Sequence, residues 1–185
     1  GRNATPIDYK HFEEAFVQTA EWIAAGETVI YEAAFVYDGV MSALDILVKK
    51  RGRWYGNEVK SSTDIKDYQV LDAAVQYYVL KGAGLELQDF SIIHINNQYT
   101  RNGELDLNQL FTIRSVKKEI LALQDGIPTQ VSAFKTLLRS RKEPQTDIGP
   151  HCSEPYPCPF SDHCWSHIPE VSVFSLSRMN GARKF

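Results

Sequence analysis

Two short apolar runs carry acidic and basic side chains whose spacing would bring them together. Asp45 lies in the first run, and Glu58 and Lys60 lie two positions apart in the second. Pairing residues 40–50 with residues 53–61 across a two-residue loop places Asp45 opposite Glu58. Because strand side chains alternate between faces, Lys60 shares a face with Glu58. The sequence therefore predicts two carboxylates and an ammonium group on one face of a hairpin.

Like charges directly opposite each other destabilise an antiparallel pair, and a divalent cation between them would turn this repulsion into coordination. Mg²⁺ and Mn²⁺ prefer oxygen ligands and keep water molecules that can take part in chemistry. A neighbouring lysine could orient the attacking water or stabilise charge on a phosphate, so the trio suits phosphodiester hydrolysis. The alternative is a surface hairpin in which Lys60 forms an ordinary cross-strand ion pair. The apolar neighbours of Asp45 and Glu58 favour the first interpretation, since acids embedded in hydrophobic strands are costly unless something compensates them.

The elements that must position these residues follow from periodicity and turn signals. Thr5-Pro6-Ile7-Asp8 predicts the start of a helix that runs to Gly26. Residues 96–107 are polar and rich in turn-forming residues. Three strands are predicted at residues 29–37, 41–48 and 54–60, and a second helix at residues 67–81. A fourth strand is predicted at residues 90–95, and two further helices around residues 116–123 and 131–138. The order αβββαβ with a helical tail places the chain in the α/β class.

Two segments resemble motifs of the PD-(D/E)XK nuclease superfamily. Ser42-Ala43-Leu44-Asp45-Ile46-Leu47 is similar to its second-strand motif without the common proline, and Asn57-Glu58-Val59-Lys60-Ser61-Ser62 is similar to its third-strand motif. The resemblance implies a restriction-endonuclease-like αβββαβ core, with a mixed central sheet flanked by helices. It also implies an Mg²⁺- or Mn²⁺-dependent deoxyribonuclease with the metal at Asp45 and Glu58, and with Lys60 acting on water or charge.

The second helix carries a polar stripe of Gln69, Asp72 and Gln76 at intervals of three and four residues, opposite an apolar stripe that begins at Leu71. Gln76-Tyr77-Tyr78 looks similar to the Gln and Tyr motif of the RecB-like branch of the superfamily, which implies a supporting catalytic role for Gln76.

Two further polar residues are not expected to belong to the site. Glu32 on the first strand is interpreted as a solvated position rather than an outer carboxylate of the site. His11 on the first helix is interpreted as a surface histidine.

All three cysteines, Cys152, Cys158 and Cys164, lie within thirteen proline-rich residues near the C-terminus. Clustered thiols of this kind favour a metal group over disulfides. Zinc would take a fourth ligand from a nearby histidine, and the candidates are His151, His163 and His167. The Cys-Pro-Phe-x₃-Cys element resembles the cysteine cluster of CRISPR-associated RecB-like iron–sulfur exonucleases, whose fourth cysteine precedes the first helix. That cysteine is missing from this chain, so the options are a 4Fe–4S cluster with its fourth ligand elsewhere, Zn²⁺, or an empty site.

The whole chain has 185 residues, a formal net charge of −3 and a pI near 6.0, so a nucleic-acid partner must be bound by a local basic surface. Two basic groups are candidates for contact with phosphates, at the hairpin tip and at the end of the last helix: Lys49, Lys50, Arg51 and Arg53, and Lys135, Arg139, Arg141 and Lys142. Without a base-reading motif, we expect a DNA exonuclease that acts on single strands or duplex ends without sequence specificity. The rivals are an inactive nuclease-derived module that binds DNA or protein, and a zinc-stabilised interaction domain.

Residues 1–142 are expected to form the nuclease core with its helical tail, and residues 143–185 a cysteine-rich extension packed on the same domain. No run of the sequence approaches the length of a membrane span, so no membrane partner and a cytoplasmic location are expected. The first residue is Gly1 rather than Met, and the last residues carry no domain-closing signal. We therefore expect a fragment of a longer protein that has a further domain.

Overall fold

The computed structural model describes residues 2–3, 11–179 and 184–185. The chain divides into two compact units, Gly1–Lys135 and Thr136–Phe185. The larger unit contains a sheet and its helices, in the order β1 (Arg2–Asn3), α1 (Phe12–Ala24), β2 (Val29–Tyr37), β3 (Val40–Lys50), β4 (Arg53–Lys60), α2 (Asp67–Gly82), β5 (Leu87–Ile95), α3 (Leu107–Leu110), β6 (Phe111–Ser115), α4 (Lys117–Leu123) and α5 (Ile127–Arg139), of which residues 127–135 belong to this unit.

Within the described residues the sheet has six strands in the order β1-β2-β3-β4-β5-β6. Strands β2, β3 and β4 form an antiparallel meander. Helix α2 connects β4 to β5, and these two strands pair in parallel. Strand β6 then pairs antiparallel with β5. The turn between β3 and β4 is Arg51-Gly52, with φ of 50° and 78°. Positive φ at both loop residues matches the right-handed strand twist, so this turn sets the register of the two strands that carry the candidate site.

The main core lies between the sheet and helices α2, α4 and α5. Its largest fully buried side chains are Phe90, Ile30, Leu44, Leu47, Leu80, Ile92, Ile120 and Ile127. Strand β4 approaches this core so closely that a Cβ at Gly56 would lie 3.1 Å from Phe90 Cδ2 and 3.2 Å from Leu44 Cδ2. The close packing leaves β4 little freedom to shift two residues before Glu58.

Helix α1 is anchored to β2 by a small apolar cluster and one buried hydroxyl group. Phe12, Ala15 and Ala34 are buried together. The Thr19 hydroxyl donates to the Ala15 carbonyl at 2.8 Å and accepts the Ala34 N–H at 3.0 Å. The Ala34 N–H of β2 is therefore satisfied by a side chain of α1 rather than by a backbone carbonyl.

The α/β class and the mixed sheet flanked by helices are confirmed, and the predicted strands agree with β2 to β5 apart from their ends. The predicted start of the first helix at Thr5 to Asp8 lies outside the described residues. The short helix α3 and strand β6 begin at the end of the polar, turn-rich segment, and neither was predicted from the sequence. Strand β6 has five residues, all exposed, and its apolar residues Phe111 and Ile113 alternate with polar ones, so the strand signal is present but very short.

The smaller unit has little regular structure. It contains a 3₁₀ turn at Pro150–Cys152, helix α6 (Ser161–Trp165) and a 3₁₀ turn at Val173–Ser175. Among all described residues, no helix combines the length and the apolar character needed to cross a membrane.

Candidate functional site

Strands β3 and β4 stop pairing where the acidic residues begin. Their ladder confirms the predicted register and ends at Ile46 opposite Asn57. Asp45 and Glu58 would form the next pair, but they lie beyond the ladder. Instead, Asp45 Oδ2 accepts the backbone N–H of Val59 at 2.6 Å. The Asp45 carboxylate thus accepts a hydrogen bond that a backbone carbonyl of a neighbouring strand would otherwise accept, and this bond holds the carboxylate beside β4.

Glu58 is the most deeply buried acid of the site, with an exposed fraction of 6%. Its Oε1 accepts a hydrogen bond from Lys60 Nζ at 2.9 Å, whereas its Oε2 is buried without a hydrogen-bond partner. Burial raises the pKa of Glu58, and the negative charge of Asp45 raises it further. The Lys60 ammonium opposes both effects but does not cancel them, so the pKa stays above its ordinary value. A buried carboxylate with one oxygen unused is a costly arrangement that a bound cation would relieve.

Lys60 lies on the same face as Glu58 and contacts two acids. Its Nζ is 2.9 Å from Glu58 Oε1 and 2.7 Å from Asp72 Oδ2 on α2. Burial lowers the pKa of Lys60, but the hydrogen bonds and charges of Asp72 and Glu58 outweigh burial and raise it. The side chain is therefore a permanently charged ammonium whose position is set by a strand on one side and a helix on the other.

Two of the three residues in the polar stripe of α2 are buried while the third, Asp72, is exposed, and the predicted apolar stripe is partly wrong. Gln69 and Gln76 are buried, whereas Leu71, assigned to the apolar face, is 40% exposed. Gln69 accepts the Lys66 N–H at 2.9 Å and donates to Ser62 Oγ at 3.1 Å, which ties the start of α2 to the end of β4. The helix turns polar residues inward because it covers a polar site at this end and the apolar core further along.

Gln76 lies close to Glu58, since its amide lowers the Glu58 pKa. Its Oε1 is buried and lacks a hydrogen-bond partner. Two unpartnered buried oxygens, Glu58 Oε2 and Gln76 Oε1, therefore occur in one region of the larger unit. Both residues are also site candidates on the basis of the sequence.

Glu32 also belongs to the charged region. The register of β2 with β3 places it between the pairs Tyr31–Ile46 and Ala33–Leu44, beside Asp45. Its φ is 53°, a left-handed conformation that costs about 1–3 kcal/mol for a residue with a side chain. Burial and the Asp45 charge both raise the pKa of Glu32. Although exposed as expected, Glu32 therefore interacts electrostatically with the site, in a strained conformation of the kind found at functional positions.

The donor chemistry of this region fits a hard divalent cation. Asp45 and Glu58 supply carboxylate oxygens, and Gln76 supplies an amide oxygen. Within residues 2–3, 11–179 and 184–185, no three His, Cys, Asp or Glu side chains converge closely enough to form a protein-only ligand set. Mg²⁺ is usually bound by one or two carboxylates together with water, so two acids are the expected protein contribution. His11 is exposed, 3.4 Å from Glu14, as expected for a surface histidine.

The three cysteines line one cavity of about 1180 Å³ within the smaller unit. They are free thiols; Cys152 is buried, and Cys158 and Cys164 are half-buried. Cys152 Sγ accepts the Gly149 N–H at 3.5 Å, and the Cys158 N–H bonds to the Cys152 carbonyl at 2.8 Å. The same cavity is lined by the three candidate histidines, His151, His163 and His167. These side chains share one cavity, but among the described residues no three of them converge as the ligands of a metal ion do.

The basic residues of the hairpin tip have defined neighbours. Lys49 Nζ lies 5.1 Å from the centre of the Trp54 ring, and Arg53 Nη1 donates to Gln88 Oε1 at 3.0 Å. Lys50 and Arg51 are exposed. In the second basic group, Lys135 is ion-paired with Asp38 and so has a structural role on the larger unit.

Comparison with models of known protein families gives no match, and neither does comparison with curated proteins. A function must therefore be inferred from the site itself.

Proposed function

We propose that this chain is a metal-dependent nuclease that hydrolyses phosphodiester bonds of DNA, as an exonuclease without sequence specificity. The observation that carries the proposal is the buried Glu58 carboxylate, with one oxygen on the Lys60 ammonium and the other without a partner. Buried carboxylate oxygens without a partner are uncommon in structural ion pairs, and a bound cation would satisfy this one. The αβββαβ order and the two motifs resembling PD-(D/E)XK nucleases support the same proposal.

Each residue has a distinct part in the proposed mechanism. Asp45 and Glu58 would hold Mg²⁺ or Mn²⁺, which when bound supplies a Lewis acid and an activated water. Lys60 orients the water and stabilises the negative charge that develops on the scissile phosphate. Gln76 supports Glu58 through its amide, which lowers the Glu58 pKa and so favours the ionised form that a cation requires, although burial keeps that pKa raised.

DNA binding would rely on the exposed cations near the tip of the β3–β4 hairpin, because the chain as a whole is acidic. Contacts from Lys50 and Arg51 to phosphates carry no sequence information, which agrees with digestion that does not depend on sequence. The substrate proposed is a single strand or a duplex end.

The cysteine cavity is proposed to hold a structural metal group. One form is a 4Fe–4S cluster whose fourth ligand lies outside this chain, and the other is Zn²⁺ with one of the cavity histidines. Metal analysis of anaerobically purified protein distinguishes them: iron with sulfide indicates the cluster, and zinc alone indicates the mononuclear site. Substitution of Cys158 by serine should lower the content of whichever metal is present, and protein with neither metal would contradict the proposal.

The decisive experiment is degradation of end-labelled single- and double-stranded DNA with Mn²⁺, with Mg²⁺ and with chelator. We expect metal-dependent loss of the label from linear DNA and little attack on closed circles. Glu58→Ala and Lys60→Ala should each abolish cleavage, whereas Glu104→Gln and Lys118→Ala, which change exposed residues, should leave it intact. Absence of cleavage by the unsubstituted protein, or cleavage that survives both site substitutions, would favour a binding module instead.

A further inference from the structure

Asp72 is a charged residue at the candidate site to which the proposed mechanism gives no part. Its Oδ2 lies 2.7 Å from Lys60 Nζ, closer than Glu58 Oε1 at 2.9 Å. Asp72 is carried by α2, four residues before Gln76, so the same helix presents both side chains to the site. The start of that helix is fixed by the hydrogen bonds of Gln69.

Lys60 needs a second partner because its side chain is flexible. Its ammonium group stands on a flexible four-carbon stem, and one hydrogen bond to Glu58 Oε1 would leave it free to pivot. A pivot toward Glu58 Oε2 would occupy the oxygen that has no partner in the structure. A second carboxylate on a different element holds the ammonium from another direction and keeps that oxygen available.

We propose that Asp72 is a positioning residue that holds the Lys60 ammonium on the α2 side of Glu58, so that Glu58 Oε2 stays open to a divalent cation. The inference rests on the proposed nuclease function and adds to it the residue that sets the geometry of the lysine. Asp72 does not touch the reacting atoms; it acts through Lys60.

The competing interpretation is an ordinary surface ion pair, since the Asp72 side chain is 46% exposed. The two interpretations predict different kinetics. Loss of an exposed ion pair leaves kcat unchanged, whereas misplacing a catalytic group by about 1 Å can cost on the order of a hundredfold in rate. Removal of a negative charge near a polyanionic substrate should not weaken DNA binding, so a positioning defect lowers kcat without raising KM.

The test compares Asp72→Ala and Asp72→Asn with Asp67→Asn, which removes the same charge from an exposed position on the same helix. We expect kcat to fall roughly 10- to 100-fold for Asp72→Ala, and less for Asp72→Asn, which keeps an oxygen acceptor. KM for DNA should be unchanged or lower, and the melting temperature should stay close to that of Asp67→Asn. A kcat equal to that of Asp67→Asn, or a loss of activity that only follows a loss of folded protein, would overturn the inference.

A second measurement does not depend on cleavage. In ¹⁵N-labelled protein the Lys60 ammonium should give an amine resonance protected from solvent exchange, identified by its loss in Lys60→Ala. The resonance should persist in Asp67→Asn and vanish in Asp72→Ala. If the unsubstituted protein fails to cleave DNA while this pattern holds, the proposed function fails but the positioning of Lys60 by Asp72 stands. If the resonance survives in Asp72→Ala, the positioning role fails whatever the activity.

Discussion

At the scale of single residues, Glu58 carries an electrostatic cost that its neighbours do not remove. Burial and Asp45 raise its pKa despite the contact with Lys60. The folded state therefore binds the Glu58 proton more tightly than the unfolded chain, whose carboxyl has an ordinary value near 4.5. Between the unfolded and folded pKa values the folded state holds more protons, so the free energy of unfolding falls as pH rises through this window.

Glu58→Gln should consequently stabilise the metal-free protein at neutral pH, because the amide keeps an acceptor for Lys60 without the buried charge. The gain should shrink as the pH falls below about 4.5, where the carboxyl is protonated in both states. Thermal unfolding with chelator, measured between about pH 4 and 8 against the exposed-residue control Glu104→Gln, checks this prediction. A gain that is independent of pH or grows in acid would refute the electrostatic explanation.

At the scale of elements, the site depends on helices that are tied to the sheet by buried polar groups. Thr19 of α1 is 1% exposed and satisfies the Ala34 N–H of β2, two residues beyond Glu32. A valine of similar shape would leave that N–H buried without an acceptor, which costs about 1–3 kcal/mol.

Thr19→Val should therefore lower the free energy of unfolding by about 1–3 kcal/mol, whereas Thr19→Ser, which keeps the hydroxyl, should have a smaller effect. Chemical denaturation of the two variants and the unsubstituted protein measures the difference. Equal destabilisation by valine and serine would show that the methyl packing matters more than the hydrogen bond.

At the scale of the whole molecule, an acidic chain with a net charge of −3 must bind DNA through a small basic surface. Removal of one cation that binds a phosphate should reduce the slope of log K against log salt concentration by about 0.9 on duplex DNA. Lys50 at the hairpin tip is exposed and suits this test.

Lys50→Gln should weaken binding to blunt-ended duplex DNA in chelator and reduce the salt slope by about 0.9. The matched substitution Lys118→Gln on α4 should leave the slope unchanged. Titrations followed by fluorescence anisotropy at several salt concentrations compare the two. The same slope for both variants would place the DNA surface away from the hairpin tip.

The amino-acid sequence by itself determined what depends on near neighbours. Strand alternation and the Arg51-Gly52 turn predicted the register that brings Asp45 toward Glu58, and the ladder confirms that register as far as Ile46 and Asn57. The bounds of α2 agree within one residue, since apolar spacing and a glycine stop are local signals. Strand β6 was not predicted because its alternation covers only Phe111–Ser115, and its pairing with β5 joins residues about 20 positions apart.

Only the tertiary structure decided which side chains of the site are buried, which partners they contact and which backbone conformation they adopt. It turned Gln69 and Gln76 inward, joined Asp72 to Lys60, and set Glu32 in a left-handed conformation beside Asp45. None of these follows from spacing, because the same polar stripe would face water on a helix with no polar site beneath it. The physical reason is that burial and partner choice depend on what packs against a residue from elsewhere in the chain.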